Sequence, residues 1–244
     1  MSRASVRWGL HISTLTGLAF LMALGTWQVR RLAWKEALVA SIDTRMKSAP
    51  LPLEEIEAQF KASGDVDYTP VTLTGSVLNE GEQYFLSTFN GQSGWSIYAP
   101  LRLADGRFVI LNRGFVPYDQ RDPAKRPGSQ PLGTENITGL ARNPLAAKPS
   151  SIMPENDTKS NTWYWKDLDG MAVNAGVDKT LLLPFFVDDW SEEPPGTLPV
   201  TKTTIVDLPN NHLQYAVTWY GLALALAGVW AVFSLRRASD ASAA

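Results

Sequence analysis

The sequence predicts an α+β membrane protein, a two-helix transmembrane hairpin flanking a mostly antiparallel β barrel or sandwich domain. Three observations lead there. Residues 8–29 and 213–235 carry no charged side chain. At about 1.5 Å of rise per residue, each run just crosses a hydrocarbon core of roughly 30 Å. Between them the apolar period changes from helical to alternating, in short segments separated by turn residues.

The bulk composition narrows the chemistry. The chain has 244 residues and a net charge of −2, so a nucleic-acid partner has no electrostatic support. Mean hydropathy is −0.10 because two apolar ends are averaged with a polar middle. Cysteine is absent, which excludes disulfides, thiolate metal sites, thiol nucleophiles and Cys-x-x-Cys-His haem attachment. With only His11 and His212, a zinc enzyme built on two or three imidazoles has no material. A Ser/His hydrolase would need His212 as its base. No enzyme activity is expected.

The first span is assigned to residues 8–29, with Trp8 and Trp27 at the interfacial ends. A cleaved signal peptide is the rival, since Ala23-Leu24-Gly25 is a passable small-x-small site; the run is long for an h-region. Gly9, Ser13, Gly17 and Gly25 recur at multiples of four, a stripe where another helix can approach. Trp34, Leu38 and Ile42 continue the helical spacing as a stalk to about residue 48, where Ala49-Pro50-Leu51-Pro52 breaks it. Leu53–Ala62 reads as a short amphipathic helix.

The domain is placed over residues 50–200. Strands are expected at Val71–Gly75, Gln83–Ser87, Trp95–Ala99, Phe108–Asn112, Ile137–Ala141 and Leu181–Val187, and a small helix at Leu168–Ala175. Tyr118–Gly133 and Asn143–Asn161 read as exposed loops. Asn112-Arg113-Gly114-Phe115-Val116-Pro117 reads as a structural turn whose glycine suits a bulge or tight bend. Trp163-Tyr164-Trp165 reads as core, and Asp188-Asp189 with Glu192-Glu193 as a solvated acidic edge. Pro194-Pro195-Gly196 and Pro199 form the tether to the second span, assigned to residues 211–235.

Two spans put both termini on one side. Arg3, Arg7, Arg236 and Arg237 place them in the cytoplasm and the domain in the periplasm; Arg30, Arg31 and Lys35 argue the other way, in a long segment that translocates largely regardless of charge. In that hairpin His212 lies at the outer surface and His11 near the inner one, roughly 24 Å of helix away. One iron cannot be held by both.

An ionisable group at the bilayer edge raises the question of function. His212, Tyr215, Trp219, Leu226 and Trp230 fall broadly on one helix face. A porphyrin needs an axial donor, flat apolar walls and cations for its propionates. His212 offers the first, Tyr215 and Trp219 the second, Arg30 and Arg31 the third. The plainer reading has His212 capping or anchoring the helix, and the two arginines pairing with lipid headgroups. Residue pattern alone leaves both open.

The motifs resemble those of the surfeit locus protein 1 family of cytochrome c oxidase assembly factors. The residues that carry the resemblance are Gly25-Thr26-Trp27-Gln28-Val29-Arg30-Arg31 with Trp34-Lys35, then Tyr68-Thr69-Pro70-Val71 with Leu73-Thr74-Gly75. Leu111-Asn112-Arg113-Gly114-Phe115-Val116-Pro117 and Asn211-His212-Leu213-Gln214-Tyr215-Ala216-Val217-Thr218-Trp219-Tyr220 complete the set, in order across nearly the whole chain. The resemblance implies a chaperone of respiratory chain biogenesis, not an enzyme, that serves the aa3-type oxidase. It implies transient haem a binding with His212 as the axial ligand to iron, haem a synthase as donor and oxidase subunit I as recipient. With seven residues before the first span, a bacterial member is expected, multi-pass in the inner (plasma) membrane. Two alternatives stand beside it: a haem-free scaffold for a subunit I intermediate, and a membrane-anchored periplasmic sensor.

Overall fold

The computed structural model describes the backbone of residues 3–204 and 210–242, and the side chains of residues 8–204 and 210–236. Arg3, Arg7 and Arg237, used above for orientation, therefore lie outside the described side chains, as does the 205–209 part of the tether.

In chain order the elements are helix α1 (Arg3–Met46), strand β1 (Leu51–Pro52), helix α2 (Leu53–Ser63), then β2 (Thr69–Val77), β3 (Gln83–Phe89), β4 (Gln92–Leu103), β5 (Phe108–Pro117), β6 (Thr134–Arg142) and β7 (Thr162–Trp163), followed by α3 (Leu168–Asn174), β8 (Leu182–Asp189) and α4 (His212–Ser242). They divide into two compact units: Met1–Ser41 with Val206–Ala244, and Ile42–Ile205.

The second unit is a mixed α+β domain around one eight-stranded sheet, ordered β1-β2-β6-β8-β5-β4-β3-β7. An additional antiparallel pairing sets Gly75, Ser76 and Val77 of β2 against Leu103, Arg102 and Leu101 of β4. The ladder β2–β6–β8–β5–β4 thus returns to β2. Pairing is mostly antiparallel, but β1–β2, β3–β7 and β5–β8 are parallel.

The strand sequences follow from what each face meets. In β2, Val71, Leu73 and Val77 are buried, while Thr72 and Thr74 face solvent; that alternation marks a strand covered on one side. In β5 and β8 neighbouring residues enter different clusters. Leu111 and Val187 join the main core with Val71, Leu101, Ile137 and Phe185. Ile110 and Phe186 join a second cluster with Tyr98, Trp163 and Met171 of α3. Both faces are covered, so these strands read as continuous apolar runs.

The helices are set by their ends. α2 begins after Pro52 with Glu54 and Glu55 in its first turn, where carboxylates suit the positive end of the helix dipole. It stops at Gly64, which takes φ 69° and donates its N–H to Phe60. The side chain of Asp167 caps α3 by accepting from the Gly170 amide.

Three expectations are corrected. Asn112–Pro117 is not a turn, since β5 runs through it, but it does hold the bulge that its glycine suggested. Ile97 faces Gly114 and Tyr98 faces Asn112, so Arg113 is the extra residue of a bulge. Gly114 has φ 116°, and a Cβ there would lie 2.1 Å from the Val200 carbonyl oxygen, so only glycine fits. Nor is Tyr118–Gly133 wholly exposed. Arg126 and Ser129 are buried because the loop folds back onto buried Glu82, which accepts from Arg113 at 3.1 Å, from Gln130 at 3.0 Å and from Arg126. Asp188, finally, is buried among donors rather than lying on a solvated acidic edge.

In the first unit, α1 and α4 are long and apolar enough to cross a membrane, over Trp8–Met46 and His212–Arg236. Only 11% of each apolar window is buried by the rest of the protein. Core helices of a soluble domain are mostly covered, so this exposure supports membrane association. The helices pack antiparallel. Gln28 meets His212, Thr26 meets Tyr220, and His11 meets Trp230. Of the small-residue stripe, Gly17 faces Leu226 and Gly25 faces the Tyr220 ring, whereas Gly9 meets nothing among the described residues and Ser13 bonds back to the Gly9 carbonyl.

Candidate functional site: the His212 end of the helix pair

His212 opens α4, and at about 100° per residue Ala216 and Ala223 share its side of the helix, with Tyr220 about 80° round. Ala216 and Ala223 are buried, which lets α1 approach closely. On α1 the seam is formed by Gln28, Gly25 and Gly17, with Gln28 itself buried. A Cβ on Gly25 would fall 2.7 Å from the Tyr220 ring, so glycine sets the spacing at this level. The Tyr220 hydroxyl and Thr26 Oγ1, 3.1 Å apart, close the same layer.

One contact bears on the state of the imidazole. His212 Nδ1 lies 2.7 Å from Gln28 Oε1. An amide oxygen can only accept, so the tautomer that satisfies this contact carries its proton on Nδ1 and donates it. In the neutral ring the lone pair then belongs to Nε2. Iron-binding histidines are oriented in this way, their other ring nitrogen donating to a fixed oxygen. His212 is half-buried. His11 has the reverse arrangement. Trp230 Nε1 donates to His11 Nδ1 at 2.9 Å, which puts the His11 proton on Nε2. The rings sit edge to face, 5.8 Å apart. Neither nitrogen of His11 is then free for a metal.

The other expected site residues divide. Trp219 is half-buried on the His212 side of α4, while Tyr215, about 60° off that line, is 53% exposed. Together they give a flank of the seam an aromatic surface. Arg30 and Arg31 are both exposed. Arg30 follows Gln28 by about 200° of helix rotation and leaves from the opposite side. Arg31 is within about 60° of the Gln28 direction, and its guanidinium lies over the Trp34 ring at 3.9 Å from the centroid. The two arginines are not equivalent.

Gln28 is the functional candidate that residue pattern did not single out. Its signal was present: a long amide in an otherwise apolar turn, Trp27-Gln28-Val29, is costly to bury without a partner.

The model of the SURF1 family matches residues 15–224, which take in most of α1, the whole domain and the first part of α4 with His212. Surfeit locus protein 1 of Rattus norvegicus is 33% identical over 87% of this chain and 71% of its own length. The SURF1-like protein of Monosiga brevicollis is 32% identical over 96% of this chain and 90% of its own. Surfeit locus protein 1 of Homo sapiens is 32% identical over 92% and 76%. On the length and order of these matches, the chain belongs to the SURF1 family, the family of cytochrome c oxidase assembly factors.

Proposed function

We propose that this protein is a non-enzymatic chaperone for the aa3-type cytochrome c oxidase, taking haem a as cargo from its synthase and presenting it to subunit I. The reading joins family membership to one observation, the Gln28–His212 hydrogen bond. Gln28 holds the Nδ1 proton and points the Nε2 lone pair away from the amide, the state an axial ligand needs. Trp219 and Tyr215 offer aromatic surface to a flat macrocycle. Arg31 is the better placed of the two arginines to meet a propionate. Ligation through His212 alone would keep the cargo exchangeable, as a carrier that must let go requires.

The same reading puts the protein in the inner (plasma) membrane, crossing twice. α1 is 44 residues long, roughly 66 Å of helix, about twice the bilayer core, so its charged second half from Arg30 extends past the hydrocarbon. The domain is assigned to the periplasm and the termini to the cytoplasm, with Arg236 at the inner end of the second span.

The test is purification from cells making haem a, together with oxidase assembly in the deletion strain. The carrier reading expects a Soret band in the wild type, none in His212→Ala, and an oxidase defect that His212→Ala fails to rescue. Full rescue by a haem-free His212→Ala protein would replace the carrier with a scaffold. A deletion without an oxidase defect would point to a sensor.

A further inference from the structure

The domain contains a cavity of about 250 Å³ that the haem reading does not use. Its lining combines the rings of Phe85, Phe89 and Phe115 with the charged Lys166, Asp188 and Arg142 and with serine and threonine hydroxyls.

The charged groups in that lining are not equally engaged in direct contacts. Asp188 accepts from Asn112 at 2.9 Å on one oxygen, and from Arg142 at 2.9 Å and Thr204 at 2.7 Å on the other. Arg142 also bonds Asp67 at 2.7 Å and lies over the Tyr68 ring. It is committed to two carboxylates. Lys166 is not: among the described residues no carboxylate comes within 4.0 Å of its ammonium, which sits 5.6 Å from the centre of the Tyr98 ring. Burial works against that charge, yet Tyr98 and Asp188 hold the ammonium above the ordinary lysine value. Burial pushes the Tyr98 hydroxyl up, so at neutral pH it is an uncharged donor. Lys166 is partly buried and faces the cavity, with Asp188 as a counter-charge beyond direct contact, so its ammonium is free to make a direct contact with a ligand's carboxylate.

We propose that this cavity binds a small organic monocarboxylate, its carboxylate on Lys166 and the Tyr98 hydroxyl and its apolar body against the three phenylalanines. The size agrees. At about 30 Å³ per water the cavity holds the bulk volume of roughly eight waters, room for an acid of about ten heavy atoms. A porphyrin is far larger. Inorganic phosphate would bring close to two charges to one ammonium and leave the phenyl rings unused.

Benzoate is the probe, and the experiment is calorimetric titration of the full-length protein in detergent. Saturable benzoate binding is expected, with the neutral analogue benzamide weaker by about tenfold or more, since the charge-assisted contact is lost. Lys166→Gln should show a similar loss, and Phe89→Ala a smaller one. Should Lys166→Gln fail to fold, the benzoate–benzamide ratio in the wild type decides alone. His212→Ala should leave benzoate binding unchanged, which separates this site from the haem site. Absent benzoate binding, or equal affinity for benzamide, overturns the proposal.

Discussion

At one end of the helix pair an imidazole gives its Nδ1 proton to the oxygen of Gln28; at the other, about 25 Å along α1, an imidazole receives a proton at the same atom from Trp230. The rings are chemically identical. Their partners leave the Nε2 lone pair of one unengaged and occupy the Nδ1 lone pair of the other. The lesson is that a histidine in an apolar helix is not read by its presence but by which hydrogen-bonding type faces it: an obligate acceptor exposes the Nε2 lone pair, and an obligate donor hides it.

The largest effect is expected where spacing, rather than chemistry, maintains that difference. Gly25→Leu would drive a side chain into the Tyr220 ring and part the helices beside Gln28. Haem retention in detergent should fall by about 100-fold, the upper range for loss of ligand support. Gly9→Leu, at the other end where Gly9 meets nothing among the described residues, should leave it unchanged. Next comes the partner itself. Gln28→Ala should weaken haem binding roughly tenfold while the ligand spectrum stays that of a single imidazole. Gln28→Glu, which still accepts from Nδ1, should hold haem better than Gln28→Ala. The smallest effect belongs to the far end. Trp230→Phe removes the donor to His11 and should change haem binding by less than about twofold. In a His212→Ala background the same change asks whether a released His11 can substitute, and at that distance from the aromatic flank no recovery is expected.

A control lies in the domain. Burial alone would raise the Asp188 carboxyl, but Lys166 and Arg142, then the Thr204 and Asn112 hydrogen bonds, hold it below the ordinary aspartate value. A depressed folded-state value contributes stability that is present above the unfolded value near 3.9 and is lost as pH falls through the folded one. Thermal melts should therefore drop below about pH 4, and Asp188→Asn should flatten that acid limb. The spectrum of bound haem at neutral pH should not change with it.

Much of the fold could be read from residue order. Val71-Thr72-Leu73-Thr74 alternates because one face is covered, and Leu53, Ile56 and Phe60 share a side because α2 rests on the core. What escaped were features whose cause is distant in sequence. β1 and β7, of two residues each, are too short to show a period. The parallel pairing of β5 with β8 leaves no local mark. Arg126 lies in a stretch rich in proline, glycine and charge, and is buried only because Glu82, 44 residues earlier, waits for it. Asp188 reads as acidic surface until Arg142 and Lys166 arrive from other segments. At the candidate site, His212, Tyr215, Trp219, Arg30 and Arg31 were selected by residue type. Gln28, which gives His212 its orientation, has no charge or ring to draw notice.

The most direct test is a haem titration of the purified full-length protein, followed at the Soret band, with His212→Ala and His11→Ala side by side. The account predicts that His11→Ala titrates as the wild type does and that His212→Ala loses the imidazole-ligated spectrum. Equal loss in both variants, or an unchanged spectrum in His212→Ala, would contradict the assignment of the ligand to the Gln28-supported end.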